Sequence, residues 1–338
     1  MATQAVEPKS PEHAAQPSVG FIRRNSLQFG IIFVLVVIVV FLMITAPRAF
    51  LNKDIYTALM ATVPYYGVIA LPLTLLVIAQ EIDLSFGSIM AISVVGYLEV
   101  FNATGNPVLA LIACLIVGLI CGLLNGAIVV GLGIPSLIAT IGTQFFYAGL
   151  SLVITNARGG SLVPAQQAAP WLNSLLVGKL FGFIPAQFLW MVIIALAVWI
   201  LLNRHRFGAH VYLIGDNNTS ARLMGINVDQ RRVMMFALVG VAAGFAGILA
   251  SLGVSNFYPT LGSGYLLQTL AAVFLGGTPV LGGVGTILGT FVGCFIIGII
   301  EPGTVAVGLT GFYTQLIYGL IIVVSVGVHT VVRRRFRT

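Results

Sequence analysis

With 338 residues, 59% of them hydrophobic and only 7% charged, the chain carries far less charge than the roughly 25% typical of soluble domains, which excludes a water-soluble globule. Its net charge of +7 comes from Lys and Arg at the ends of apolar runs rather than on one basic face, so a nucleic-acid binder is excluded too. What remains is a protein that crosses a bilayer several times.

In chain order, residues 1–26 are rich in Pro, Ala, Ser and Gln and read as a disordered cytoplasmic tail. A cleaved leader is not expected. The apolar run after Arg23 and Arg24 exceeds the usual ~7–15 residues, and Pro47 follows the one small-residue candidate site. Ten apolar runs then predict membrane helices at 27–46, 60–80, 86–101, 108–130, 135–155, 187–203, 233–253, 264–277, 285–300 and 312–332. The longer ones hold about 20 residues without a formal charge, enough to cross ~30 Å of hydrocarbon; 264–277 is the shortest. The expected fold is therefore all-α and polytopic, one permeation domain over 27–332 with some broken or re-entrant helices.

Positive loops resist translocation. With the amino terminus inside, Lys9, Arg23, Arg24, Arg204, Arg206, Arg222, Arg231, Arg232, Arg333, Arg334, Arg335 and Arg337 face the cytoplasm, and Arg48, Lys53, Arg158 and Lys179 face outward. This asymmetry predicts an even number of crossings, with both termini and the short basic tail 333–338 inside. The loop 204–232 is then cytoplasmic. The loop 156–186, with Gly159, Gly160, Pro164, Pro170 and Trp171, lies outside and suits an interfacial or re-entrant segment.

Glu81 and Asp83 stand between the second and third runs. An ionisable group at membrane depth costs at least ~2.5 kcal/mol, so it usually faces a cavity or a partner. Two readings are open. Both carboxylates can sit solvated at the inner interface, or the helix is broken here and Asp83 caps the next segment through the amides of Ser85 and Phe86, beside a transport route. Asn125, Thr140, Thr143, Gln144 and Gln268 are the other polar groups within spans. They can recognise hydroxyls of a substrate or hydrogen-bond helix to helix. Glycines recur at spacings of four, as in Gly118, Gly122, Gly126 and in Gly285, Gly289, Gly293, which predicts close helix packing. Gly87-Ser88-Ile89-Met90-Ala91 faintly echoes Gly285-Thr286-Ile287-Leu288-Gly289, a hint of duplication.

Cys114, Cys121 and Cys294 fall inside apolar runs without ligand spacing and read as buried small hydrophobes. The histidines are scattered, so neither a metal site nor a catalytic set is expected.

The stretch GDNNTSARLMGINVDQRRV at 215–233 is a polar island. Asn217, Asn218 and Thr219 supply cap oxygens for a helix start, and Gly225 suits its end. The prediction is a helix of about two turns, ~10 Å, with Ala221 and Met224 on one face. So short a helix is unstable alone; it is either a loop resting on headgroups or a knob for a cytoplasmic partner.

Four blocks carry a resemblance. They are FGAHVYLIGDNNTSARLMG at 207–225, EIDLSFGSIMAIS at 81–93, GLLNGAIVVGLGIPSLIATIGTQFFYAGLSL at 122–152 and GYLLQTLAAVFLGGTPVLGGVGTILGT at 264–290. In this order, over about 27–330, the chain resembles ABC-type sugar permeases of the ribose, xylose and arabinose class. The resemblance implies that 217–225 is a coupling helix, with Asn217, Asn218, Ala221, Met224, Gly225 and Ile226 seated against a separate ATP-hydrolysing subunit. It also implies two such ATPase subunits, a second permease copy (identical or related) and an external sugar-binding protein near 156–186. The site would be the bacterial inner membrane, among lipid and without nucleic acid. Two departures stand out: the family commonly has glycine where Glu81 stands, and often an acidic residue with paired alanines where this chain has Thr219-Ser220-Ala221.

No Gly-x-x-x-x-Gly-Lys-[Ser/Thr] loop is present, so no cofactor is expected on this chain and ATP belongs to a partner. The expected function is import of a pentose or similar small sugar. The pathway candidates are Glu81, Asp83, Ser85, Asn125, Thr140, Thr143, Gln144 and Gln268. The alternative is an ion-coupled transporter or channel using Glu81 and Asp83; the lack of a basic partner deep in other spans counts against it. An enzyme would need a nucleophile–base set, and none is visible.

Overall fold

The computed structural model describes residues 26–335, with side chains from 28 to 327. Nearly all of the tail 1–26 and part of the basic tail 333–338 lie outside the described residues. The helices are α1 Ser26–Thr45, α2 Pro47–Phe50, α3 Lys53–Thr62, α4 Pro64–Ile78, α5 Phe86–Thr104, α6 Pro107–Leu132, α7 Ser136–Thr155, α8 Val163–Ala168, α9 Pro170–Val177, α10 Ala186–Asn203, α11 Arg206–Asp216, α12 Asn218–Leu223, α13 Val228–Gly253, α14 Tyr265–Leu275, α15 Ile287–Ala306 and α16 Phe312–Arg335. Four two-residue strands form two small pairs: Gly160–Ser161 with Asn256–Phe257, and Lys179–Leu180 with Ile184–Pro185.

Seven described helices are long and apolar enough to span a membrane, and α3 with α4 makes an eighth, bent by 51°. Every predicted run has become a helix. The run 264–277 does not make a whole crossing, however: α14 has 11 residues, about 16 Å by helix rise against ~30 Å of hydrocarbon. Irregular backbone flanks it at 258–264 and 276–286. Such backbone survives at depth only where protein covers it. Here Gly262 packs directly on Gly87, and a Cβ at Gly262 would lie 2.3 Å from the Gly87 carbonyl oxygen.

The core is built around α4, buried along its whole length and enclosed by α13, α10, α14 and α15. The most extensive helix pair is α6 on α13. Glycine is the reason: a Cβ at Gly240 would sit 2.2 Å from Gly118 O, and one at Gly122 would sit 2.4 Å from Phe236 O. The helices touch backbone to backbone, as the spacing of four predicts.

The loops segregate to two ends. At one, Gly283 N–H donates to Ile78 C=O at 2.8 Å and Gln80 reaches Gly215. At the other, the 160–161 strand pairs with 256–257, and Leu162 N–H donates to Ser255 C=O at 3.1 Å. Loops predicted to share a side of the membrane thus meet at the same end. The segment 156–186 holds two short helices, α8 and α9, and a hairpin.

Candidate functional site

The site begins where α4 stops. Gln80 adopts φ +65°, and Glu81 N–H donates to Leu76 C=O at 2.9 Å, a left-handed helix end of the kind glycine usually supplies. The Gln80 side chain donates to Gly215 C=O at 2.7 Å, which holds this conformation. The chain then runs non-helical to Phe86, buried in the bundle. Its amides need partners, and α7 provides them: Ile82 N–H donates to Ser136 Oγ and Leu84 N–H to Thr140 Oγ1, both at 3.1 Å.

Asp83 is fully buried. Its Oδ1 accepts from Ser85 N–H and Ser85 Oγ, each at 2.7 Å, and its Oδ2 from Asn125 Nδ2 at 3.3 Å. Asn125 also donates to Ser85 Oγ at 2.7 Å and accepts from Tyr147 O–H at 3.1 Å. One network therefore joins the break to α6 and α7. The cap is narrower than predicted: Asp83 holds the Ser85 amide but not that of Phe86, because Ser85 itself is already helical in φ and ψ.

Of the pathway candidates, Asp83, Ser85, Asn125 and Thr140 come together. All four have no exposed surface in this conformation; Asp83, Ser85 and Asn125 bond one another, while Thr140 reaches the break through Leu84 N–H. Thr143 hydrogen-bonds within its own helix, to Thr140 C=O at 3.3 Å. Gln144 is half-buried with no side-chain hydrogen bond. Gln268 belongs elsewhere, on α14, where it donates to Tyr318 O–H at 3.4 Å. Ser136 and Tyr147 were not among the candidates. Their signal was a helical stripe, Ser136, Thr140, Thr143, Tyr147 and Ser151, all buried while Ile138, Phe145, Phe146 and Val153 point outward. A groove of about 410 Å³ between α6 and α7 is lined by Thr143, Tyr147, Phe146 and Leu124.

Glu81 is buried and not solvated. Its Oε1 lies 2.8 Å from Arg232 Nε in an ion pair whose N–H is not aligned for a hydrogen bond. The reading in which Glu81 sits solvated at the inner interface is corrected: its partner is Arg232, at the foot of α13 and not deep in a span.

The polar island is more structured than its sequence suggested. The stretch before it forms α11, with Phe207, Val211 and Ile214 buried on one face and His205 Nδ1 capping Phe207 N–H at 3.0 Å. Next, Asn217 Oδ1 caps α12 through Ser220 N–H at 2.9 Å, and Asn218 is half-buried. Gly225 has φ +81°, and Ile226 packs on the core. Ala221 and Met224 do not share a face: Ala221 is buried, whereas Leu223 and Met224 are 85% and 67% exposed. The helix closes at Leu223, so Met224 turns outward.

Residues 55–326 match the family described as "Branched-chain amino acid transport system / permease component". The chain belongs to this permease family. The permease is 31% identical to the ribose import permease protein RbsC of Escherichia coli (strain K12) over 294 residues, 86% of this chain and 90% of that protein. It is 32% identical to the autoinducer 2 import system permease protein LsrC of Yersinia pseudotuberculosis serotype O:3 (strain YPIII) over 275 residues, 81% of this chain and 77% of that protein. No solved structure matches it. The permease is thus a multi-pass transport component.

Proposed function

We propose that this permease is the membrane subunit of an ATP-driven importer of a pentose or similar small sugar in the bacterial inner membrane. The observation that carries this is α12, whose buried Ala221 anchors it while Leu223 and Met224 project two large apolar side chains from a polar loop. Exposed apolar side chains in such a setting mark a contact surface, and a separate ATPase subunit is the partner that fits. ATP chemistry belongs to that subunit. Two ATPases require two coupling helices, hence a second permease copy, and a sugar-binding protein delivers substrate near 156–186. Both termini and α12 lie on the cytoplasmic side. The buried Asp83 network braces the broken helix beside the route. The relatives' names, a ribose import permease and an autoinducer 2 import permease, favour a sugar over an amino acid. An ion-coupled mechanism is disfavoured because Asp83 is fully buried and already accepts from three donors.

The test is co-purification of the ATPase subunits with the wild type and with a Leu223→Asp/Met224→Asp variant, alongside ATP-dependent uptake of ribose, xylose and arabinose in proteoliposomes. The variant is expected to insert normally, lose the ATPases and lose uptake. Uphill uptake without ATPase, driven by an ion gradient, would overturn the proposal.

A further inference from the structure

α12 and the foot of α13 are tied into one unit. Arg222 makes a two-pronged ion pair with Asp229, Ile226 N–H donates to Ala221 C=O at 3.1 Å, and Asn227 Oδ1 caps α13 through Gln230 N–H at 3.0 Å. Three residues beyond Asp229, on the same side of the helix, Arg232 meets Glu81 across a separation of 151 residues. The Arg222–Asp229 pair is solvated, while the Glu81–Arg232 pair is largely buried, with side-chain exposures of 9% and 19%. Beside it, Gln80 holds Gly215 at the end of α11. Two residues beyond Glu81, Asp83 anchors the network that braces α6 and α7.

Resting on the reading above, we propose that Glu81 and Arg232 are positioning residues of the coupling step, a strut that carries displacement of α12 and the foot of α13 into the break at 79–85. Exposed ion pairs are individually weak and yield easily. A buried pair behaves differently, because separating its charges leaves each unpaired in a poor solvent. The two ends therefore move together. Neutral side chains would slip where this pair drags. The strut acts at the point where the helix is already broken, so a small push reorients α5 and the Asp83 network rather than bending a continuous helix.

The experiment uses the assembled complex of permease, ATPase subunits and binding protein in proteoliposomes, with radiolabelled ribose, xylose and arabinose as probes. It measures ATP hydrolysed per sugar imported. Glu81→Gln and Arg232→Gln should each lower uptake at least tenfold while leaving ATP hydrolysis within threefold of wild type, so the ratio rises. The double charge swap Glu81→Arg/Arg232→Glu should recover at least a third of wild-type uptake. Arg232→Lys, which keeps the charge, should fall between wild type and Arg232→Gln, and it decides the matter if the swap does not insert. Unchanged ratios in both glutamine variants, or Arg232→Lys behaving like Arg232→Gln, would overturn the strut. A merely structural pair would lower uptake and hydrolysis together. A wild-type complex that neither hydrolyses ATP nor imports any of the sugars would defeat the importer reading itself, and the strut with it.

Discussion

Asn125 shows how much one amide holds. It donates to Asp83 and Ser85 and accepts from Tyr147, so Asn125→Leu strips partners from three buried groups at once. Tyr147 keeps the Cys121 carbonyl and Ser85 keeps Asp83 Oδ1, so Asp83 Oδ2 is the group left unsatisfied; the expected loss is about 1–3 kcal/mol, read as a lowered unfolding midpoint in detergent. Gln144→Leu, whose side chain makes no hydrogen bond, should leave that midpoint unchanged. The acidic residues and Asn125 were visible in the sequence as polar groups in apolar runs. Their pairing was not, because Asp83 comes from the break, Asn125 from α6 and Tyr147 from α7. Arg232 was hidden for another reason: at a helix foot, a charge that pairs inward reads like one that faces water.

Helix contacts were more legible. The glycine spacing predicted close approach, and the α6–α13 seam has it. Alanine normally outranks glycine in a helix by about 1 kcal/mol, yet overpacking costs about 1–3 kcal/mol. At Gly240 the obstruction is the Gly118 backbone, which has no rotamer to yield, so Gly240→Ala should destabilise the permease by about 2 kcal/mol in a thermal unfolding assay. Gly142→Ala, with nothing within 4 Å of the added carbon, should be neutral or slightly stabilising. Equal effects at the two positions would contradict the seam. For α12, the caps were readable in Asn217 and Gly225, while α11 escaped notice because its buried face, Phe207, Val211 and Ile214, is spread thinly through a polar loop. Pro at Ala221 should remove the buried foot of α12 and abolish uptake without preventing insertion.

For the whole molecule, sidedness is the quantity to measure. With the native cysteines buried, single reporters at Thr219→Cys and Phe181→Cys, both exposed in the structure, can be labelled with a membrane-impermeant maleimide. In intact cells Phe181→Cys should react and Thr219→Cys should react only after permeabilisation; the reverse order would invert the orientation. The stretches 87–91 and 285–289 that faintly echo each other lie beside neighbouring parts of the bundle. The segments before the two stretches touch where Gly283 N–H donates to Ile78 C=O at 2.8 Å, and the helices α4 and α15 meet at Thr74 and Thr290, whose hydroxyls lie 2.7 Å apart.

Composition alone placed this chain in a bilayer, and run length alone located its long apolar helices, because transfer into hydrocarbon is set residue by residue along the chain and needs no knowledge of neighbours. Whether α14 crosses completely, which amides brace the break at 79–85, and whether Glu81 finds Arg232 were decided only by tertiary structure. Those outcomes depend on groups far apart in sequence arriving at one depth, where a low-dielectric interior makes each unpaired donor, acceptor or charge costly and so selects the packing that pairs them.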